Sequence, residues 1–63
     1  MKNNIKELRK EKDLRQEDLA NKLGVTRQTI NAIENNKYDP TLELALKISI
    51  FFGLPVNDIF TLE

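Results

Sequence analysis

The feature that most constrains this fold is a three-residue link, residues 24–26, between two short amphipathic segments. Segments 16–23 and 27–35 both place their apolar residues three or four positions apart, which is the spacing of a one-sided helix. Gly24 readily adopts the left-handed backbone that ends a helix, and Thr26 is a good N-cap for the next one. Two helices joined by so short a link must cross at a steep angle.

The remaining chain indicates three further helical segments. Residues 4–12 carry isolated apolar positions among charged ones and predict a surface helix. In residues 42–52 the apolar side chains cover about 260° of the helix circumference, so this helix should be buried on more than one side. Residues 56–60 predict one or two final turns, and residues 61–63 could extend as an edge strand. We therefore expect an all-α, compact five-helix bundle in a single domain, residues 1–63.

Composition excludes several classes of function. The chain has no His and no Cys, so the usual catalytic nucleophiles, general bases and transition-metal ligands are nearly all missing. We therefore expect no catalytic residue, no metal site, no cofactor and no small-molecule ligand. Residues 1–10 do not resemble a signal peptide, and no apolar stretch reaches the ~18 residues of a membrane span. The expected location is a reducing cytoplasm, with no membrane partner.

Charge is divided unequally along the chain. Ten basic and ten acidic residues give a formal net charge of zero, which alone argues weakly against a nucleic-acid-binding domain. Residues 1–37, however, carry a balance of +3, and residues 38–63 a balance of −3. The basic half contains the two steeply crossing helices, so it is the half expected to face an anionic partner.

The second of these helices carries three polar side chains near its start, Arg27, Gln28 and Asn31. Guanidinium and carboxamide groups can pair with base edges through two hydrogen bonds, Arg with guanine and Gln or Asn with adenine. A helix that enters the major groove end-on presents such side chains from its first turns. The alternative is an ordinary solvated helix face, which three polar residues taken alone would favour.

The whole pattern resembles the helix-turn-helix signature of the phage Cro/CI repressor class, the Xre family. The matching positions are Gln16, Leu19, Ala20, Gly24, Val25, Thr26, Ile30, Asn31, Ile33, Glu34 and Asn35. The resemblance continues through residues 37–40 and 42–52, so it covers nearly the whole chain. It implies a lambda-repressor-like domain that binds the major groove of double-stranded DNA, commonly as a homodimer on a palindromic operator.

The family's functional residues have counterparts at the matching positions. The resemblance implies that residues 26–35 form the recognition helix and that Arg27, Gln28 and Asn31 contact bases. It also implies contacts to the DNA backbone from Gln16, Thr26, Thr29, Asn35, Lys37, Tyr38, Arg9 and Arg15.

Two of the polar residues invite a structural interpretation. The resemblance implies that Gln16 braces Gln28 in addition to reaching a phosphate. Glu34 is acidic on a DNA-facing helix, which is unfavourable beside phosphates. We interpret it as structural, paired with Arg9 or Arg15 across the domain.

Three positions depart from the family pattern. Arg15 stands where Ser or Thr usually caps the second helix, but the carboxylate of Asp18 can bond back to the backbone there. Asp13 and Asn36 replace frequent glycines, and both residue types tolerate left-handed backbone. We therefore expect all three turns to survive the substitutions.

Residues 44–62 contain more large apolar side chains than one small core needs. Either these side chains fill a generous core or some of them form a dimer interface, and we favour the second. The predicted two-fold interface lies within a dimerisation region of about residues 44–63, at an edge of helix 42–52. Its predicted members are Pro55, Val56, Phe60, Leu62 and Ile50.

These observations predict a sequence-specific DNA-binding transcriptional regulator and not an enzyme. We expect a repressor that binds an inverted-repeat operator as a homodimer, in a bacterial or phage-derived setting. The alternative is an antitoxin or anti-regulator that uses the same fold mainly to bind a protein partner.

Overall fold

The computed structural model describes residues 1–62, and within them it contains five helices and a two-stranded sheet. In chain order the elements are β1 (Lys2–Asn3), α1 (Ile5–Glu11), α2 (Gln16–Leu23), α3 (Arg27–Glu34), α4 (Leu42–Phe52), α5 (Val56–Ile59) and β2 (Phe60–Thr61). The predicted five-helix architecture is confirmed. The bounds of α2 and α4 agree with the prediction, and the other three helices are one residue shorter at one or both ends.

The helix boundaries follow from the chemistry at their ends. The Thr26 side-chain oxygen accepts a hydrogen bond from the backbone N–H of Thr29 at the start of α3, at 3.2 Å. Thr41 caps α4 in the same way through the N–H of Leu44, also at 3.2 Å. Gly24 ends α2 in left-handed backbone, with a φ of 73°. These caps satisfy backbone groups that have no partner inside the helix.

The turns at the three positions that depart from the family pattern are all formed, as expected. Asp13 and Asn36 adopt left-handed backbone with φ of 57° and 60°. The Asp18 carboxylate accepts the backbone N–H of Arg15 at 2.9 Å, which closes the first turn of α2 without a hydroxyl cap.

One apolar core joins all five helices and β2. Its buried members are Ile5, Leu19, Ala20, Leu23, Ile30, Ile33, Leu44, Ala45, Ile48, Ile59 and Phe60. Each fully buried Leu or Ile contributes about 1.5–3 kcal/mol to the free energy of unfolding. Val25, in the turn between the two crossing helices, is half-buried and packs against this core.

A small antiparallel sheet joins the two ends of the described chain. Lys2 is paired with Thr61 and Asn3 with Phe60. The predicted C-terminal strand therefore begins one residue earlier than expected, and Glu63 lies outside the described residues. The partner strand β1 was not predicted, because a two-residue strand has no periodicity to detect. In residues 1–62 no helix is both long enough and apolar enough to cross a lipid bilayer.

Candidate nucleic-acid interface

Helix α3 has one buried face and one exposed face. Ile30 and Ile33 are 0% and 1% exposed and anchor the helix in the core. Arg27, Gln28 and Asn31 are all exposed on the opposite surface. Because a helix turns ~100° per residue, positions 27 and 28 lie within about 100° of each other, and position 31 falls between them one turn further along. The fold thus presents one guanidinium and two carboxamides together near the start of a rigid helix.

The N-terminus of α3 carries two hydroxyl groups in mutual contact. The side-chain oxygens of Thr26 and Thr29 lie 3.0 Å apart, and the Thr26 oxygen also caps the helix. Thr26 is exposed and Thr29 half-buried. The hydroxyls and the free N–H groups of the first turn can meet an anion at the positive end of the helix dipole.

A buried ion pair links α1 to the end of α3. Nε of Arg9 donates to Glu34 at 2.8 Å, and Nη2 donates to its other carboxylate oxygen at 3.2 Å. Nη1 donates to the backbone carbonyl of Leu14 at 2.8 Å. The two charged side chains are 9% and 3% exposed. The interpretation of Glu34 as a structural partner of Arg9 is confirmed.

The internal contacts of Arg9 argue against its predicted contact with the DNA backbone. All three of its guanidinium nitrogens already donate to partners inside the domain, and the side chain is buried. Removing it from Glu34 would leave a buried charge without a counter-charge, which is strongly unfavourable. Arg9 therefore supports the position of α3 from within.

Gln16 also binds Glu34, and this differs from its predicted role. Its side-chain amide donates to a Glu34 carboxylate oxygen at 3.0 Å, so the residue it braces is Glu34 and not Gln28. Gln16 is half-buried, at the start of α2. The carboxylate of Glu34 thus holds the start of α2 and the end of α1 against α3.

Arg15 lies on the surface, with its side chain 78% exposed, and pairs with Asp18. Nε and Nη2 donate to the two carboxylate oxygens at 3.1 and 3.2 Å. The hydrogen bond from the Arg15 side chain, and then that from its backbone N–H, hold the pKa of Asp18 below its ordinary value. The same contact raises the pKa of Arg15. A phosphate contact from Arg15 remains a prediction, and it would compete with Asp18 for the guanidinium.

The loop after α3 presents three further predicted backbone contacts, Asn35, Lys37 and Tyr38, all exposed. The Asn35 amide donates to the backbone carbonyl of Asn31 at 3.0 Å and to its side-chain oxygen at 3.2 Å. This second bond orients the Asn31 carboxamide and leaves its NH₂ group pointing away from Asn35. Sequence reasoning treated the two asparagines separately and missed their contact, although a four-residue spacing on a helix could have indicated it.

Asn3 is a supporting residue that the sequence did not reveal. Its side-chain amide donates to the backbone carbonyl of Ile33 at 2.8 Å and lies 3.4 Å from the side-chain oxygen of Asn36. It thereby ties β1 to the end of α3 and to the loop that follows. A polar residue in a two-residue strand carries no periodic signal that would predict this contact.

The predicted dimer-interface residues divide into two groups. Ile50 and Leu62 are 80% and 86% exposed, and Pro55 is also exposed. Val56 is half-buried against the core, and Phe60 is only 6% exposed because its ring packs inside the same chain. Phe60 is therefore a core residue, which argues against its predicted place in the dimer interface.

The chain is similar in sequence to known helix-turn-helix proteins. The helix-turn-helix family model HTH_3 matches residues 5–59. The uncharacterized HTH-type transcriptional regulator MJ0272 of Methanocaldococcus jannaschii is 60% identical over the whole chain and 96% of its own length. The uncharacterized HTH-type transcriptional regulator YgzD of Bacillus subtilis is 51% identical with the same coverage.

A more distant relative carries a more specific description. The cryptic phage CTXphi transcriptional repressor RstR of Vibrio cholerae is 40% identical over 55 residues, which are 87% of this chain and 50% of that repressor. These relatives come from an archaeon as well as from bacteria, so the expected bacterial or phage origin is not confirmed.

Proposed function

The chain belongs to the helix-turn-helix family of DNA-binding transcriptional regulators, which are not enzymes, and on this premise we propose that it is a repressor that binds an inverted-repeat operator as a homodimer. The exposed face of α3 is the part of the domain that enters the major groove. We use operator face for the set Arg27, Gln28 and Asn31.

The observation that carries this proposal is the two-sided character of α3. Ile30 and Ile33 bury one side completely, while the operator face projects from the other. A helix held by its core face presents its polar side chains in a defined geometry, which direct readout of base edges requires. Asn31 is oriented further by the amide of Asn35.

Contacts to the DNA backbone position this helix. We assign them to Gln16, Thr26, Thr29, Asn35, Lys37, Tyr38 and Arg15. Thr26 and Thr29 stand at the positive end of α3, whereas Lys37 and Tyr38 lie in the loop beyond its other end. Contacts at both ends of a recognition helix would grip the two phosphate strands that border a major groove. Gln16 would have to exchange its bond to Glu34 for one to a phosphate.

Repression is the mode of regulation that the relatives support. RstR is described as a transcriptional repressor, and its matching region covers most of this chain. A regulator that acts on genomic DNA works in the cytoplasm, where we expect this protein in an archaeal or bacterial cell. A homodimer would place two α3 helices ~34 Å apart, so the half-sites should lie about one DNA turn apart in an inverted repeat.

Selection of bound fragments from random DNA, followed by gel shifts on the selected sequence, tests the proposal. We expect an inverted repeat, and Arg27→Ala should weaken binding by about 5- to 150-fold. Lys10→Ala is the matched control, because it removes a long exposed cation on α1 that is not among the predicted DNA contacts. Equal losses in the two variants would mean that binding is only electrostatic. Absence of any selected sequence would contradict the proposal and favour a protein partner.

A further inference from the structure

Helix α4 exposes a row of apolar side chains that the core does not use. Leu42, Leu46 and Ile50 are 74%, 48% and 80% exposed. Their four-residue spacing places them along one line on the helix surface. The opposite face of α4, with Ala45 and Ile48 among its members, is buried. The row therefore lies on the outside of a helix that is otherwise anchored in the core.

We propose that this row is the seam of the homodimer, with α4 of a second copy lying antiparallel across it and Leu46 at the two-fold axis. The proposal rests on the dimer of the proposed function and says which surface forms it. About this axis, Leu42 of one copy faces Ile50 of the other. Rows with a four-residue period interlock in the commonest class of helix packing.

Charge on the same helix favours a second copy over a foreign partner. Glu43 and Lys47 flank the row on one side, with Nζ and a carboxylate oxygen 3.5 Å apart. In an antiparallel two-fold pair, the same flank of both helices meets. Glu43 of each copy then lies beside Lys47 of the other, so the surface is complementary to itself. A partner helix of uniform charge would meet one repulsive group here.

The location of Phe60 also favours α4 as the centre of the interface. The side chain of Phe60 is buried in the core of its own chain, and Val56 is half-buried. Of the predicted interface residues, Ile50 belongs to the row itself, and Pro55 and Leu62 are exposed. The row alone is smaller than the about 800 Å² per partner of a stable interface. We therefore expect a dimer that dissociates in the micromolar range.

Disulfide trapping tests the two-fold axis. The chain has no cysteine, so each introduced thiol is the only one present. In Leu46→Cys, two thiols at the axis should join when diamide takes up their two electrons and two protons. In Leu42→Cys the thiols lie on opposite sides of the axis and should remain reduced. A mixture of Leu42→Cys with Ile50→Cys should give the mixed disulfide.

The disulfide outcomes separate the arrangements. The antiparallel seam is supported if Leu46→Cys and the mixture both form disulfide dimers while Leu42→Cys alone does not. Equal trapping of Leu42→Cys alone would overturn the antiparallel arrangement. No trapping in any variant, or a wild-type monomer by sedimentation equilibrium at about tens of micromolar protein, would overturn the seam altogether.

Charge reversal tests the seam by an independent route. Glu43→Lys and Lys47→Glu each place like charges opposite each other across the seam, and each should weaken self-association by about tenfold. An equimolar mixture should form heterodimers with wild-type affinity, because every facing pair is then opposite in sign. Both variants lack the pair within the helix, so this rescue has to arise between copies. Failure of the mixture to associate better than either variant would contradict the seam.

Failure of the seam and failure of DNA recognition give different results. Leu46→Glu leaves the operator face untouched, so the monomer it produces should still bind a single half-site. If it does, while the full operator loses its tight binding, the seam is supported. If Leu46→Cys is trapped as a dimer but wild-type protein selects no DNA, the proposed function fails and the seam remains. If wild-type protein binds the operator but no cysteine variant is trapped, the seam is contradicted and the proposed function remains.

Discussion

The guanidinium of Arg9 and the carboxylate of Glu34 form a two-point ion pair inside the domain, with contacts of 2.8 and 3.2 Å across 25 residues of sequence. The carboxylate also accepts the side-chain amide of Gln16. Three helices therefore meet at one carboxylate, directly behind the end of α3. The orientation of the operator face depends on this junction.

The first prediction concerns this ion pair. Glu34→Gln should lower the free energy of unfolding by about 3–5 kcal/mol, because the buried Arg9 loses its counter-charge. Urea denaturation followed by circular dichroism measures the change. Glu7→Gln on the exposed side of α1 is the matched control, expected within about 0.5 kcal/mol of wild type. The double variant Arg9→Met, Glu34→Leu should recover stability relative to Glu34→Gln. An unchanged stability in Glu34→Gln would contradict the structural role of the pair.

The second prediction separates base contacts from backbone contacts. Asn31→Ala should reduce discrimination at one base-pair position by about 1–3 kcal/mol and leave other positions unchanged. Lys37→Ala should weaken binding to all sequences alike, and the slope of log K against log salt should fall by about 0.9. Binding titrations on operator variants at several salt concentrations measure both effects. A uniform loss in Asn31→Ala would remove it from the base-reading set.

The third prediction concerns the left-handed turns. Gly24→Ala should cost about 1–2 kcal/mol, because an L side chain is strained at a φ of 73° although no atom lies within 4 Å of the added carbon. Asp13→Gly should act in the opposite direction, because glycine relieves the same strain at a φ of 57°. Thermal unfolding of the two variants measures the contrast. A stable Gly24→Ala protein would show that the turn can adopt another conformation.

The fourth prediction concerns pH. Contact with Arg15 lowers the pKa of Asp18 from its ordinary value of 3.8, so the unfolded chain binds a proton there before the folded chain does. The stabilisation by this carboxylate is therefore complete above the unfolded-chain pKa, at a pH above about 3.8, and it is lost as the pH falls through the lower pKa of the folded chain. Asp18→Asn should differ most from wild type near neutral pH, and the difference should shrink in acid. Denaturation curves across this range check the sign, and a constant difference would exclude the charge as its cause.

Sequence reasoning identified the helices because their signals are local. The spacing of apolar residues, Gly24 after α2, and the caps Thr26 and Thr41 each act within one or two helical turns. The same locality explains why β1 was missed and why Asn3 was not recognised. Their contacts join residues thirty or more positions apart, as in the bond from Asn3 to Ile33.

The operator face follows from sequence, since periodicity alone puts Arg27, Gln28 and Asn31 opposite the buried Ile30 and Ile33. What periodicity does not determine is which long polar side chains turn inward. The side chains of Arg9 and Gln16 end in N–H donors, which suit a DNA phosphate as well as a carboxylate. Only the packing of α1, α2 and α3 directs them to Glu34.

The sequence by itself thus determined the helices, their turns and the chemistry of the exposed face of α3, because those depend on neighbours within a few residues. The tertiary structure decided that Arg9 is internal, that Phe60 belongs to the core, and that the free apolar row lies on α4. These assignments depend on which distant surfaces meet and exclude water, and that free energy is a property of the packed chain rather than of any one segment.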